Sequence, residues 1–123
     1  MTTRSVDVSL ELVGPTLKWT FLSDGVVSST IPKHTAGDIV FNITTPGFQF
    51  CSPPDIDKNA GDQLSLPSHR PSFTEYTATV KDIHTLENTS GSIFLFVQDI
   101  ATLSKYKSPD PVVDNDGEHD PGN

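Results

Sequence analysis

The densest run of potential ligands in the chain is Asp114-Asn115-Asp116-Gly117-Glu118-His119-Asp120, where carboxylates recur at every second position and Gly117 permits a sharp turn. Hard cations such as calcium need several oxygen donors on a stretch that can curl tightly enough to converge them. Asp114, Asp116, Glu118 and Asp120 are therefore the candidate metal ligands, for calcium or zinc. The plainer reading is a solvated acidic end, because five of the sixteen acidic residues fall among positions 108–123 and no Lys or Arg accompanies them.

Cys51, the only cysteine, would serve as the nucleophile of a small thiol-dependent hydrolase if a neighbouring base lowered its pKa. Next to Phe50, its plainer role is that of a small hydrophobe. A single cysteine excludes an internal disulfide and any multi-cysteine zinc or iron-sulfur site within one chain. His34, His69, His84 and His119 sit in separate segments with no His-x-His or His-x-x-x-His spacing, so a zinc site would have to be assembled by the fold. There is no Gly-x-Ser-x-Gly nucleophile elbow and no phosphate-cradling glycine-rich loop. Asn42-Ile43-Thr44 and Asn88-Thr89-Ser90 fit the glycosylation pattern; without a secretory leader they read as strand and turn residues. No catalytic constellation and no cofactor is implied.

A length of 123 residues is that of one domain. The hydrophobic share of 34% is lean but sufficient for a core of that size. A net charge of −8 with scattered basic residues argues against nucleic acid, whose binding relies on clustered Lys and Arg. The start, Met1 to Val8, carries no signal-peptide run, and no apolar stretch reaches membrane-spanning length. A soluble, cytoplasmic protein without membrane or nucleic-acid partners is expected.

The elements that would position any site are short strands. Gly37-Asp38-Ile39-Val40-Phe41-Asn42-Ile43-Thr44 reads as the central one, with Ile39, Phe41 and Ile43 facing one way. Val6, Val8, Leu10 and Leu12 alternate with polar residues, and Gly14-Pro15 breaks the run. Trp19 and Phe21 share a face of the next strand, and Asp24-Gly25 predicts a tight hairpin into a strand over residues 26–31, ended or edged by Pro32. Phe48 and Phe50 are expected inside. Residues 52–71 lose all periodicity and read as a long irregular connection that any site would border. Phe73, Tyr76, Ala78, Val80 and Ile83 alternate with one slip, as a bulge would produce. Ile93-Phe94-Leu95-Phe96-Val97 is apolar on both faces, like a fully covered strand, and residues 100–106 form a further short strand or a helical turn. Beyond Ser108 only Val112 and Val113 are apolar, and Pro111 to Asp114 are expected to dock as an added strand at a sheet edge.

Lys33 to Asn42, with its Gly37-Asp38-Ile39-Val40-Phe41 core, resembles the Gly-Asp-x-Val-x-Phe segment of cupredoxins and related immunoglobulin-like sandwiches. That resemblance implies the sandwich shape. Cupredoxin copper needs two imidazoles, a thiolate and usually an axial Met, with Cys and His close together on one loop. Here Cys51 is followed by Ser-Pro-Pro-Asp-Ile-Asp, the next His is His69, and the only Met is Met1, so the copper set is not met. Asp110-Pro111-Val112-Val113-Asp114 resembles the end of the DP-EP family, a group of short, uncharacterised bacterial proteins, which implies no activity. Asp114 to Asp120 is similar to the front of an EF-hand-type loop, although Val112 stands at its first ligand position and Asn123 at its last.

The expectation is one all-β domain over residues 1–107, a single antiparallel β-sandwich of about seven to eight strands, immunoglobulin-like or cupredoxin-like, followed by an acidic tail over 108–123. The leading function is a non-catalytic binding or structural module, with a protein partner or self-association through a sheet edge or the tail. A metal-binding protein using the tail and fold-assembled His residues is the alternative, and the Cys51 hydrolase comes third.

Overall fold

The alternation at the start of the chain predicts a strand buried on one face, and the structure begins with it. The computed structural model describes residues 3–23, 26–27, 30–33, 37–59, 63–68, 71–83, 89–109 and 112–115. Among these residues there are thirteen strands and no helix: β1 (Arg4–Val13), β2 (Thr16–Ser23), β3 (Val26–Val27), β4 (Thr30–Lys33), β5 (Gly37–Ile43), β6 (Phe48–Phe50), β7 (Asp55–Asn59), β8 (Leu64–Ser65), β9 (Thr77–Asp82), β10 (Thr89–Phe94), β11 (Phe96–Asp99), β12 (Lys105–Lys107) and β13 (Val112–Asn115). They form a six-stranded sheet in the order β3-β2-β1-β5-β9-β8, a four-stranded sheet β4-β13-β10-β7 and a three-stranded sheet β12-β11-β6. No helix among the described residues is long and apolar enough to cross a membrane.

The fold is all-β, as the strand pattern predicts, but its pairing is mixed rather than purely antiparallel. β1 and β5 run parallel, with Val6 opposite Phe41. The cause lies in the route of the chain, which leaves the six-stranded sheet after β3, contributes β4 to the four-stranded sheet and returns as β5 beside β1. A parallel neighbour requires such a crossover. Where β5 ends, Thr44 and Thr45 continue the pairing: the Thr44 amide donates to the Val8 carbonyl at 2.9 Å, and Thr45 Oγ1 accepts from the Leu10 amide at 2.8 Å. β5 lies between β1 and β9, so the expected organising strand is interior to its sheet.

Gly14 takes φ 61°, the left-handed first position of a two-residue hairpin loop, and Pro15 fills the second with its fixed φ. Val13 and Thr16 are thus directly paired. Val8/Phe21, Leu10/Trp19 and Leu12/Leu17 are cross-strand pairs on one face. That face runs past the core towards the turn, so Leu12 is 46% exposed instead of buried with Val6, Val8 and Leu10. Ser23 pairs with Val26, and the Asp24-Gly25 turn expected between them lies outside the described residues.

Three local expectations change. The connection over 52–71 contains β7 and β8; β7 is Asp-Ile-Asp-Lys-Asn, whose pairing to β10 is imposed by its neighbour, with Ile56 alone packing on the core. The slip between Phe73 and Tyr76 is a chain reversal and not a bulge. Phe73 bridges Ala78 across a turn in which the Thr74 amide donates to the Thr77 carbonyl at 2.8 Å and Thr74 Oγ1 accepts from the Thr77 amide at 3.2 Å. The third change concerns the acidic end: Val112 to Asn115 pair antiparallel with β10 and parallel with β4, so this strand is interior to its sheet and β4, with Pro32, is outermost.

The four- and three-stranded sheets run on from one another at Leu95. Ser108 joins them by donating its amide to the Leu95 carbonyl and accepting the Leu95 amide on Oγ, both at 2.8 Å. One hydrophobic cluster links all three sheets, with Val6, Val8, Ile39, Phe41, Ala78 and Val80 from the six-stranded sheet and Phe48, Phe50, Ile93 and Val97 from the other two. Phe48 and Phe50 are inside as expected. Phe21 meets Phe41 edge-on at 6.4 Å and stacks with Trp19 at 6.2 Å, geometries aromatic quadrupoles favour.

Candidate functional site

Residues 93–99 alternate strictly. Ile93, Leu95, Val97 and Asp99 are buried, whereas Phe94, Phe96 and Gln98 are half-buried on the opposite face. Sequence reasoning took the same stretch for a strand covered on both sides. Its outer face instead carries two aromatic rings that the rest of the chain only partly covers.

The register of the three-stranded sheet determines what surrounds them. Phe96 lies opposite Lys107 and Gln98 opposite Lys105, so both lysines of β12 share the outer face with Phe96. On the other side of β11, Gln98 pairs with Gln49, and the Cys51 amide donates to the Phe96 carbonyl at 3.1 Å. The turn that brings β12 back is built on Asp99, whose Oδ1 accepts the Ala101 and Thr102 amides at 2.9 and 3.3 Å. Leu103 closes it at φ 66°.

These residues enclose an open depression of about 360 Å³, lined by Cys51, Ser52, Phe96, Lys105, Tyr106 and Lys107. Its floor is aromatic, one rim is basic and the other carries a thiol and a hydroxyl. None of the described lining residues is acidic, in a chain whose net charge is −8. Lys107 Nζ stands 4.0 Å from the centroid of the Phe94 ring, a cation–π contact that draws its charge towards Phe94. As part of β12, one of the two edge strands of this sheet, the two lysines also discourage a further chain from pairing there.

Burial pushes the Cys51 thiol above its ordinary value, and the charge of Lys105 and a hydrogen bond between the thiol and the backbone of Cys51 itself oppose that rise without cancelling it. The thiol therefore keeps its proton at neutral pH.

Of the expected metal ligands Asp114, Asp116, Glu118 and Asp120, only Asp114 falls among the described residues. Asp114 belongs to β13, where its backbone pairs with Ser90 on one side and Pro32 on the other. Asp116, Glu118 and Asp120 lie outside the described residues, as do His34, His69, His84 and His119. Among the described residues no group of three or more His, Cys, Asp or Glu side chains is placed to hold a metal ion. Asn42 of the first glycosylation-like triplet donates from Nδ2 to Ser5 Oγ at 3.1 Å, and Thr44 donates from Oγ1 to the Val8 carbonyl at 3.3 Å.

Sequence reasoning found Cys51 but missed Phe96, Lys105, Tyr106 and Lys107. Two signals could have found them: an aromatic pair on the wrong face of an otherwise alternating strand, and Lys-Tyr-Lys within an acidic chain. The sequence matches no protein-family model, and no curated protein matches it significantly.

Proposed function

We propose that the protein is a small non-catalytic binding module, a β-sandwich of immunoglobulin-like or cupredoxin-like type whose ligand sits in the depression on the outer face of β6, β11 and β12. The observation that carries this reading is the convergence of half-buried Phe96 with Lys105, Lys107 and Cys51 on one concavity. Concavities that join an apolar floor to a few polar groups are the usual form of ligand sites. The neutral thiol supports recognition over catalysis. The core shared by the three sheets supports the sandwich.

A fragment mixture followed by amide chemical shifts on isotopically labelled protein tests the reading. Perturbed amides should cluster at Gln49 to Ser52, Phe96 to Gln98 and Lys105 to Lys107. Clustering on the hairpin of β1 and β2, or on the six-stranded sheet, would place the binding surface elsewhere.

A further inference from the structure

We infer that the depression selects small aromatic carboxylates, a ligand class that deepens the binding reading above and rests on it. The volume of about 360 Å³ lies at the low end for ligand pockets, which suits one or two fused rings and not a larger molecule. Phe96 offers the floor. Its cross-strand neighbour Lys107 is drawn to the Phe94 ring, so the ammonium of Lys107 does not cap Phe96. A planar ring can stack there in the offset or edge-on geometry that aromatic pairs adopt.

The anionic half of the ligand follows from Lys105. Lys105 lines the depression from β12, opposite Gln98, and Cys51 lines it from the far side of β11, where the Lys105 charge works against the rise that burial imposes on the thiol. Among the described residues no carboxylate lines the depression beside Lys105. An anion placed above Phe96 faces Lys105, with Lys107 contributing from beside Phe94. Cys51 and Ser52 complete the opposite rim as a weak and an ordinary hydrogen-bond donor. A neutral ring would use the floor and leave the lysines idle; a non-aromatic acid would use the lysines and leave the floor idle. The combination distinguishes the class.

Both lysines are exposed, so each contributes modestly and the affinity should be weak, on the order of 1 mM. The test follows amide shifts of Cys51, Phe96 and Tyr106 during titration with 2-naphthoate, 2-naphthamide and cyclohexanecarboxylate. The inference expects saturable shifts with 2-naphthoate, at least about threefold weaker binding of the other two, and about fivefold weaker 2-naphthoate binding in Lys105→Gln. Lys18→Gln, on β2, should bind as the wild type does. Equal binding of naphthamide, or an unchanged affinity in Lys105→Gln, overturns the anion preference while leaving the outer face as the site. If none of the three probes moves these amides, both the inference and the binding reading fail.

Discussion

Cys51 and Leu103 show how much single residues of this fold reveal. The Cys51 thiol is raised in the folded chain, so the native state keeps its proton after the unfolded chain has released its own at about pH 8.5. Its contribution to stability is therefore complete below the unfolded value and is lost as pH climbs through the folded one. Urea melts between pH 7 and pH 10 should show wild type losing more stability than Cys51→Ser, with the two parallel below pH 8; equal losses throughout would remove the burial argument. Leu103 holds φ 66° while 67% exposed, so it bears the left-handed cost without a burial gain. A left-handed non-glycine residue costs roughly 1–2 kcal/mol, partly offset by the extra freedom glycine gives the unfolded chain. Leu103→Gly should gain up to about 1 kcal/mol in denaturant melts. A loss would show that Leu103 makes contacts beyond its turn.

Among the elements, those with strong local chemistry were legible and those built by their neighbours were not. β1 and β5 follow directly from alternation, and both have buried faces matching it. β7 has one apolar residue in five and exists because β10 offers it a ladder. The outer face of β11 was misread because apolar residues on both faces signal burial, and nothing local says that Phe94 and Phe96 would stay half-buried. The hairpin of β1 and β2 gives a prediction with two halves. Gly14→Val should cost about 1–2 kcal/mol through backbone strain alone, since a Cβ there meets nothing within 4 Å. Leu12→Asp, on the exposed end of the same hairpin, should cost less than about 1 kcal/mol. Thermal melts that reversed this order would show the hairpin end to be packed. β13 is paired on both sides, so amide exchange at Val112 and Val113 should be far slower than in a free peptide.

At the scale of the whole molecule, the core and the outer face of β11 are separate parts of the same strands. Ile93, Leu95 and Val97 hold the sheets together while Phe94 and Phe96, between them, face outward. Phe41, fully buried on the interior strand β5, should cost roughly 3–5 kcal/mol as Phe41→Ala, enough to unfold most of a marginally stable domain. Phe96→Ala removes a half-buried ring from the outer face and should leave the melt far closer to wild type. The all-β class could be read from alternation because period two survives single exceptions. The mixed pairing could not, because it depends on β4 leaving one sheet for another, a long-range event without local sequence chemistry.

The most direct measurement of the central claim uses the thiol that lines the depression. Iodoacetamide labelling of Cys51 is timed at pH 8.5 with and without saturating 2-naphthoate, in wild type and in Phe96→Ala. A ligand seated on Phe96 covers Cys51, so labelling should slow several-fold in wild type and remain unchanged in Phe96→Ala. Identical rates with and without 2-naphthoate in wild type would contradict a binding site on the outer face of β6, β11 and β12.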